Sequence, residues 1–252
     1  MRRLIAFGAV AGLAAFVLAQ VSGTDMLAGF AKALNSAKSL STTYTVQRIG
    51  GGSANYSLNL SKPNKARIDT PTQLVVADGT NITTLDKKDN SYYKKPQTDA
   101  DLKDLFKADD LSLFGPFFDS GFYSGKVVSS KAAGQKVLRG VSYNVVLANM
   151  DDKGKKTTSF YLDPADQLAK VGQFVSNDTS AGVTDTLLVI TKTYAIDGAQ
   201  KGELYAFTAP DGSREVSLEE MNSGKWFESL AEAQAMSKKT GKPMFVDFYA
   251  DW

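Results

Sequence analysis

TYTVQRIGGGSANYSLNLS, residues 43–61, is where the chain switches from a helical period to a period of two. Tyr56, Leu58 and Leu60 alternate with polar residues, and Gly50, Gly51, Gly52 and Ser53 separate the two halves. Two alternating runs around a glycine-rich turn predict a β-hairpin with one face buried. Working backward, residues 24–38 carry Leu27, Phe30, Ala31, Leu34 and Ala37 on one helical face, with Thr24 and Asp25 suited to cap the start. Working forward, ARID, QLVVA, TNITTLD and SYYKK follow, broken by Lys62-Pro63-Asn64, Thr70-Pro71, Asp78-Gly79 and residues 86–90.

Residues 99–118, DADLKDLFKADDLSLFGPFF, interrupt this meander. Leu102, Leu105 and Phe106 fall at helical spacing, followed by Leu111, Leu113 and Phe114 and a Gly115-Pro116 hinge, so one or two short helices are expected. Strands resume with KVLR, SYNVVLAN, TTSFYLD, QLAKVGQFVS and TDTLLVITKTYAI. About ten short strands with few helices predict a mainly β (α+β) fold: a curved antiparallel sheet wrapping a core, as an open barrel or a sandwich. From residue 218 the composition turns acidic and Ala-rich; a single helix is expected over residues 218–236, with Trp226, Leu230, Ala233 and Met236 on one face and Gly241 and Pro243 ending it.

The N-terminus reads as export. Arg2 and Arg3 precede an apolar run over residues 4–19, and small residues offer cleavage after Ala19 or Gly23, which makes residues 1–23 a signal peptide; a membrane anchor is the competing reading. The expected units are therefore a signal peptide (1–23), a β domain (24–217) and a C-terminal segment (218–252), and the expected location is periplasmic or otherwise exported.

Composition excludes several chemistries. Among 252 residues there is no Cys and no His, so thiol nucleophiles, Ser-His-Asp triads and the usual zinc ligands are all missing. Lys and Arg number 29 against 27 Asp and Glu, and without Arg2 and Arg3 the two are equal, which removes any electrostatic bias toward nucleic acid. No metal and no cofactor is expected.

Four stretches in order, LNSAKSLSTTYTVQ (34–47), LNLSKPNKARID (58–69), TQLVVADGTNITTLDKKDNSYYKK (72–95) and YAFTAPDGSREV (205–216), resemble the outer-membrane lipoprotein carrier (LolA-like) family. The resemblance implies a half-open barrel closed by a helical lid, with the acyl chains of a lipoprotein in its hollow. Family members that sort lipoproteins latch the lid with an Arg just before a strand-ending Pro; Lys62 stands there in this chain. The implied ligand-binding residues are Tyr56, Leu58, Leu60, Leu74, Val76, Leu147, Phe160, Leu162, Leu188 and Ile190, and the implied lid residues are Leu113, Phe114, Phe117 and Phe118. Ordinary core packing is the competing account of each. Partners are then an acyl chain or lipoprotein, with an envelope protein as a second candidate.

Residues 226–252, WFESLAEAQAMSKKTGKPMFVDFYADW, are similar to the opening of thioredoxin-like domains, where such a helix and strand lead into a Trp-Cys-x-x-Cys loop. The resemblance makes Asp247 the match of the buried acid that exchanges protons with the thiols, a role that needs the redox loop. The expectation is that the chain is cut short, by a clone ended early, a frameshift, or a UGA codon that encodes selenocysteine. Three functions follow: an exported carrier of acyl chains, an envelope thiol or selenol oxidoreductase lacking its loop, and a β domain that only docks a protein.

Overall fold

The computed structural model describes residues 22–178, 181–221, 227, 229–241 and 243–246. Most of the expected signal peptide lies outside them, as do Trp226 and Asp247. Helix α1 (Gly23–Ser36) buries Leu27, Phe30, Ala31 and Leu34. Its N-cap is Ser22 rather than Thr24 or Asp25: the Ser22 hydroxyl accepts from the Asp25 amide and donates to the Asp25 carboxylate. Cleavage after Gly23 would remove this cap, whereas cleavage after Ala19 would keep it.

Strands β1 (Ser39–Arg48) and β2 (Ser53–Ser61) form the expected hairpin, with Gly50 at φ 78° in its turn. The meander continues through β3 (Lys65–Asp69), β4 (Gln73–Ala77), β5 (Asn81–Asp86) and β6 (Ser91–Pro96). Short side chains hold its turns; Asp78, for instance, accepts from the amides of Thr80 and Asn81, both at 2.7 Å. The insert forms α2 (Asp99–Asp104), α3 (Asp109–Ser112) and a 3-10 turn (Gly115–Phe117). A second meander follows: β7 (Ser129–Leu138), β8 (Val141–Asn149), β9 (Lys156–Leu162), β10 (Ala169–Asp178) and β11 (Val183–Ile196).

Pairing of β11 with β1 joins the two meanders into one sheet, which a short strand β12 (Arg214–Glu215) extends at the β6 edge, in the order β12-β6-β5-β4-β3-β2-β1-β11-β10-β9-β8-β7. This last strand runs parallel to β6; every other pair is antiparallel. The fold is thus mainly β, a curved open sheet of 12 strands with few helices, and the sandwich alternative falls away.

The inner face carries the principal core. Leu40, Tyr44, Leu58, Leu60, Ile68, Phe160 and Val189 from the sheet pack with Phe30 and Leu34 of α1 and with Phe106, Leu113, Phe114 and Phe117 of the insert. Gly172 on β10 is what lets the insert approach so closely, because a Cβ there would lie 2.9 Å from the Leu113 side chain. On the outer face a smaller cluster of Leu74, Val76 and Leu85 sits beneath Tyr92 and Phe207, whose rings are 5.1 Å apart. β12 is tied along β6 by the Arg214 amide, which donates to the Asn90 carbonyl, and by the Val216 amide just after it, which donates to the Tyr92 carbonyl.

The C-terminal region departs from expectation. Instead of one helix over residues 218–236 there are two, α4 (Leu218–Met221) and α5 (Leu230–Thr240). Ser229 adopts an extended conformation and caps a new start, its side chain accepting from the Glu232 amide. Leu230, expected on a buried face, is 51% exposed. Residues 243–246, which the likeness to thioredoxin-like domains puts at the entry to a strand, form no ladder, as expected of that segment without the rest of such a fold, and Phe245 is 83% exposed; Asp247 lies outside the described residues. Among the described residues, no helix is long and apolar enough to cross a membrane.

Candidate functional site

Alternation along each strand decides which expected ligand-binding residues meet. Tyr56, Leu58, Leu60, Phe160 and Leu162 lie on the inner face with the insert. Leu74 and Val76 do not; they belong to the outer cluster under Phe207. Leu147 pairs with Ser159 while its neighbours Val146 and Ala148 join the inner core, so its side chain leaves on the outer face. Leu188 and Ile190 are likewise outer residues, since Leu187 and Val189 face inward. Each of these five was read from an apolar run in which the inward parity is not marked.

The expected hollow is filled by the chain itself. Phe114 packs on Tyr44 with ring centroids 4.9 Å apart and approaches Tyr194 at 6.5 Å. Tyr123 stands edge-on to Phe160 at 5.1 Å, and Phe117 edge-on to Phe118 at 4.9 Å. All four expected lid residues thus lie over the sheet, with Leu113, Phe114 and Phe117 fully buried and Phe118 half-buried against the same core.

Two side chains fasten this insert. Asn35, in the last turn of α1, donates through Nδ2 to the carbonyls of Pro116 and Phe117, at 3.1 Å each. Lys62 donates to the Asn35 carbonyl, and its ammonium lies 5.5 Å from the Phe117 ring centroid. Burial lowers the pKa of that ammonium. Lys62 therefore touches the insert through the Phe117 ring and reaches it indirectly through Asn35. Asn35 itself was missed in the sequence, where a polar residue on a helix margin carries no signal of a contact 81 residues away.

A cavity of about 600 Å³ remains at one mouth of the sheet, beside the β1–β2 turn and the start of α3. Val46, Ala54, Phe174 and Leu187 form its apolar wall, and Arg48, Asp109, Asp110 and Asp185 its rim. Of the expected ligand-binding residues only Tyr56 lines it; Leu162 lines a smaller cavity of about 390 Å³ beside α1. Arg48 is paired with Asp185. Burial pushes the carboxyls of Asp109 and Asp110 up, opposed by Lys156 at Asp109 and by a hydrogen bond from Tyr56 at Asp110.

Two phenols beneath the insert have no partner. The Tyr44 and Tyr194 hydroxyls are buried without a hydrogen bond, whereas the Tyr123 hydroxyl donates to the Ser112 carbonyl at 2.9 Å. Burial raises the pKa of both, and the charge of Asp110 adds to the effect at Tyr44. Among the described residues no three acidic side chains converge to hold a metal ion.

No protein-family model matches the chain, and no characterised protein matches it in sequence. Solved structures similar in chain path include MucB (TM-score 0.48, 15% identity, 74% of this chain and 63% of that one). A conserved protein from Thermus thermophilus gives TM-score 0.48 at 13% identity over 77% of this chain and 98% of its own. A LolA-superfamily protein from Nitrosomonas europaea gives 0.35 at 7% identity over 75% and 99%. The chain thus spans less than two thirds of the MucB chain.

Proposed function

We propose that this protein is an exported binding protein that holds the apolar part of an amphiphile, such as an acyl chain, at the mouth of its curved sheet. The observation that carries the reading is the cavity of about 600 Å³ with Val46, Ala54, Phe174 and Leu187 along its wall, a volume within the range of small-ligand sites. It lies against α3, so the insert that fills the inner face also forms one side of the site. A longer chain would reach the inner face only by displacing Phe114 from Tyr44, which makes the insert a lid in the mechanical sense. The N-terminal export signal and the absence of Cys accord with a carrier that works outside the cytoplasm without a disulfide. A redox role for the tail rests on its sequence likeness alone.

Ala54→Trp tests the reading, because a large side chain at this half-exposed wall position fills the cavity from its rim. Binding of a fluorescent fatty acid should fall at least about tenfold with the melting temperature little changed. Unchanged binding would remove the mouth from consideration. The tight filling of the inner face favours a second reading, in which the sheet is a packed scaffold that docks an envelope protein and binds no lipid; failure of the unaltered protein to bind any apolar ligand selects it.

A further inference from the structure

Strand β7 closes one side of the sheet, and among the described residues no strand lies beyond it. It is 10 residues long, and its outward backbone groups have no ladder to join. A register shift between Ala132 and Gln135, with Gly134 at φ 76°, and the charges of Lys131 and Lys136 are devices that keep such an edge from pairing at random. They do not account for Val137, which is 67% exposed, or for a cavity of about 390 Å³ lined in part by the same strand.

The register separates two chemistries. Ser130, Ala132, Gln135 and Val137 pair with Ala148, Val146, Asn144 and Ser142. Val146 and Ala148 belong to the inner core, so this set faces inward, and Lys131 and Lys136 face outward. Ala132 and Gln135 accordingly line the cavity, with Asn144 of β8 and Met26 of α1. Asp25 and Asp163 stand at the same cavity and keep an acidic side chain out of it. Helix α1 reaches β7 from the inner side, where the Thr24 and Ser130 hydroxyls are 3.0 Å apart, and residues 133–137 beyond that contact are exposed.

The edge is also cationic. Between Ser120 and Met150 stand Lys126, Lys131, Lys136 and Arg139 with no Asp or Glu, although the whole chain is nearly balanced at 29 bases to 27 acids. Lys131, Lys136 and Arg139 make no ion pair with the described residues. A second copy paired antiparallel along this edge would set lysines against lysines. An anionic membrane is flat and could meet either the two lysines or Val137, which lie on opposite faces, but not both. A strand from another protein supplies the missing backbone partners and can alternate in chemistry as the edge does.

We infer that β7 is a docking edge for an extended acidic segment of a partner protein, which joins the sheet as one further strand. Its carboxylates stand opposite Lys131 and Lys136, and its uncharged apolar side chains cover the cavity and Val137. Lys131 and Lys136 pair with Leu147 and Tyr143, four residues apart on β8, so the carboxylates belong at i and i+4 and the apolar residues at i+1 and i+3. The inference is independent of what the mouth binds.

The test is fluorescence anisotropy of the whole protein with a labelled peptide Glu-Val-Thr-Val-Glu-Val-Thr at neutral pH and about 50 mM salt, where surface charge is weakly screened. This peptide should bind at least about tenfold more tightly than the same peptide with Lys for Glu. It should exceed by a similar factor its version N-methylated at every residue, which keeps the charges and loses the main-chain donors. In Lys131→Glu/Lys136→Glu the preference should reverse toward the Lys peptide, and binding of that peptide shows the edge still formed. Should this variant not fold, Lys136→Gln should cut the acidic preference to about threefold. Absence of binding, equal affinity for acidic and basic peptides, equal affinity for the methylated peptide, or an acidic preference that survives charge reversal overturns the inference. So does self-association of the unaltered protein, or its flotation with phosphatidylglycerol vesicles, if either is lost on charge reversal, since the edge then serves a second copy or a membrane. Fatty-acid binding should be unchanged in the variants, so failure here leaves the proposed function standing.

Discussion

Replacing Asn35 by Ala should release the insert and leave the sheet intact. The side chain makes two hydrogen bonds of 3.1 Å, to the carbonyls of Pro116 and Phe117, both in part-buried surroundings. At a net value of about 1 kcal/mol each, their loss weakens the attachment by about 2 kcal/mol. Ala is a better helix former than Asn, so α1 does not loosen in compensation. The Lys62 contact survives, since it is made to the Asn35 backbone carbonyl. If the insert opens as a unit, about 2 kcal/mol raises its open population roughly 30-fold. Hydrogen exchange followed by mass spectrometry reads this directly: peptides covering residues 106–118 should exchange faster by about that factor, while peptides from β4 and β5 should not change. Acceleration spread evenly over the sheet would mean that the insert has no independent opening, and no acceleration anywhere would mean that Asn35 does not hold it.

Further outcomes separate the two phenols, the two faces and the acidic rim. Tyr44→Phe removes an unpaired buried hydroxyl and should raise stability by about 1 kcal/mol, whereas Tyr123→Phe strands the Ser112 carbonyl and should lower it by about 1–2 kcal/mol, both read from urea midpoints. Phe207→Ala uncovers Leu74, Val76 and Leu85 and should cost on the order of 1–2 kcal/mol, with amphiphile binding unaffected because the cluster is on the outer face. Burial places the Asp110 carboxyl above its ordinary value in the folded protein, so the folded state binds the proton more tightly than the unfolded chain does. Stability attributable to this group is therefore present at low pH and falls as pH rises through the raised value. Asp110→Asn should accordingly raise the melting temperature at pH 7, with the gain vanishing as pH approaches the ordinary aspartate range.

Much of the sheet was legible because its strands are bounded by strong turn chemistry: Asp78-Gly79, the glycines at 50–52 and Lys62-Pro63-Asn64 each fall between strands where the sequence puts them. The face of α1 was legible for the same reason, a clean helical period over Leu27, Phe30, Ala31 and Leu34. Parity was not legible in the runs Leu74 to Ala77 and Leu187 to Ile190, where every residue is apolar. In the first run both faces are covered, one by the core and one by Phe207, which comes from a distant part of the chain. The site was harder still. The phenylalanines of the insert stood out by their density, but whether they cap a hollow or fill it depends on side-chain volumes across the whole inner face. The acidic rim joins Asp109 and Asp110 to Asp185 only because β11 returns to β1, a pairing that no local pattern announces.

The central claim, that an amphiphile sits at the mouth of the sheet, is tested most directly by isotope-filtered NMR on the protein with a bound fatty acid. The account predicts nuclear Overhauser contacts between the ligand's methylene protons and the methyl groups of Val46, Ala54 and Leu187. Contacts confined to the outer face, at Leu74, Val76 or Ile190, or a saturated sample with no contact to the mouth residues, would contradict it.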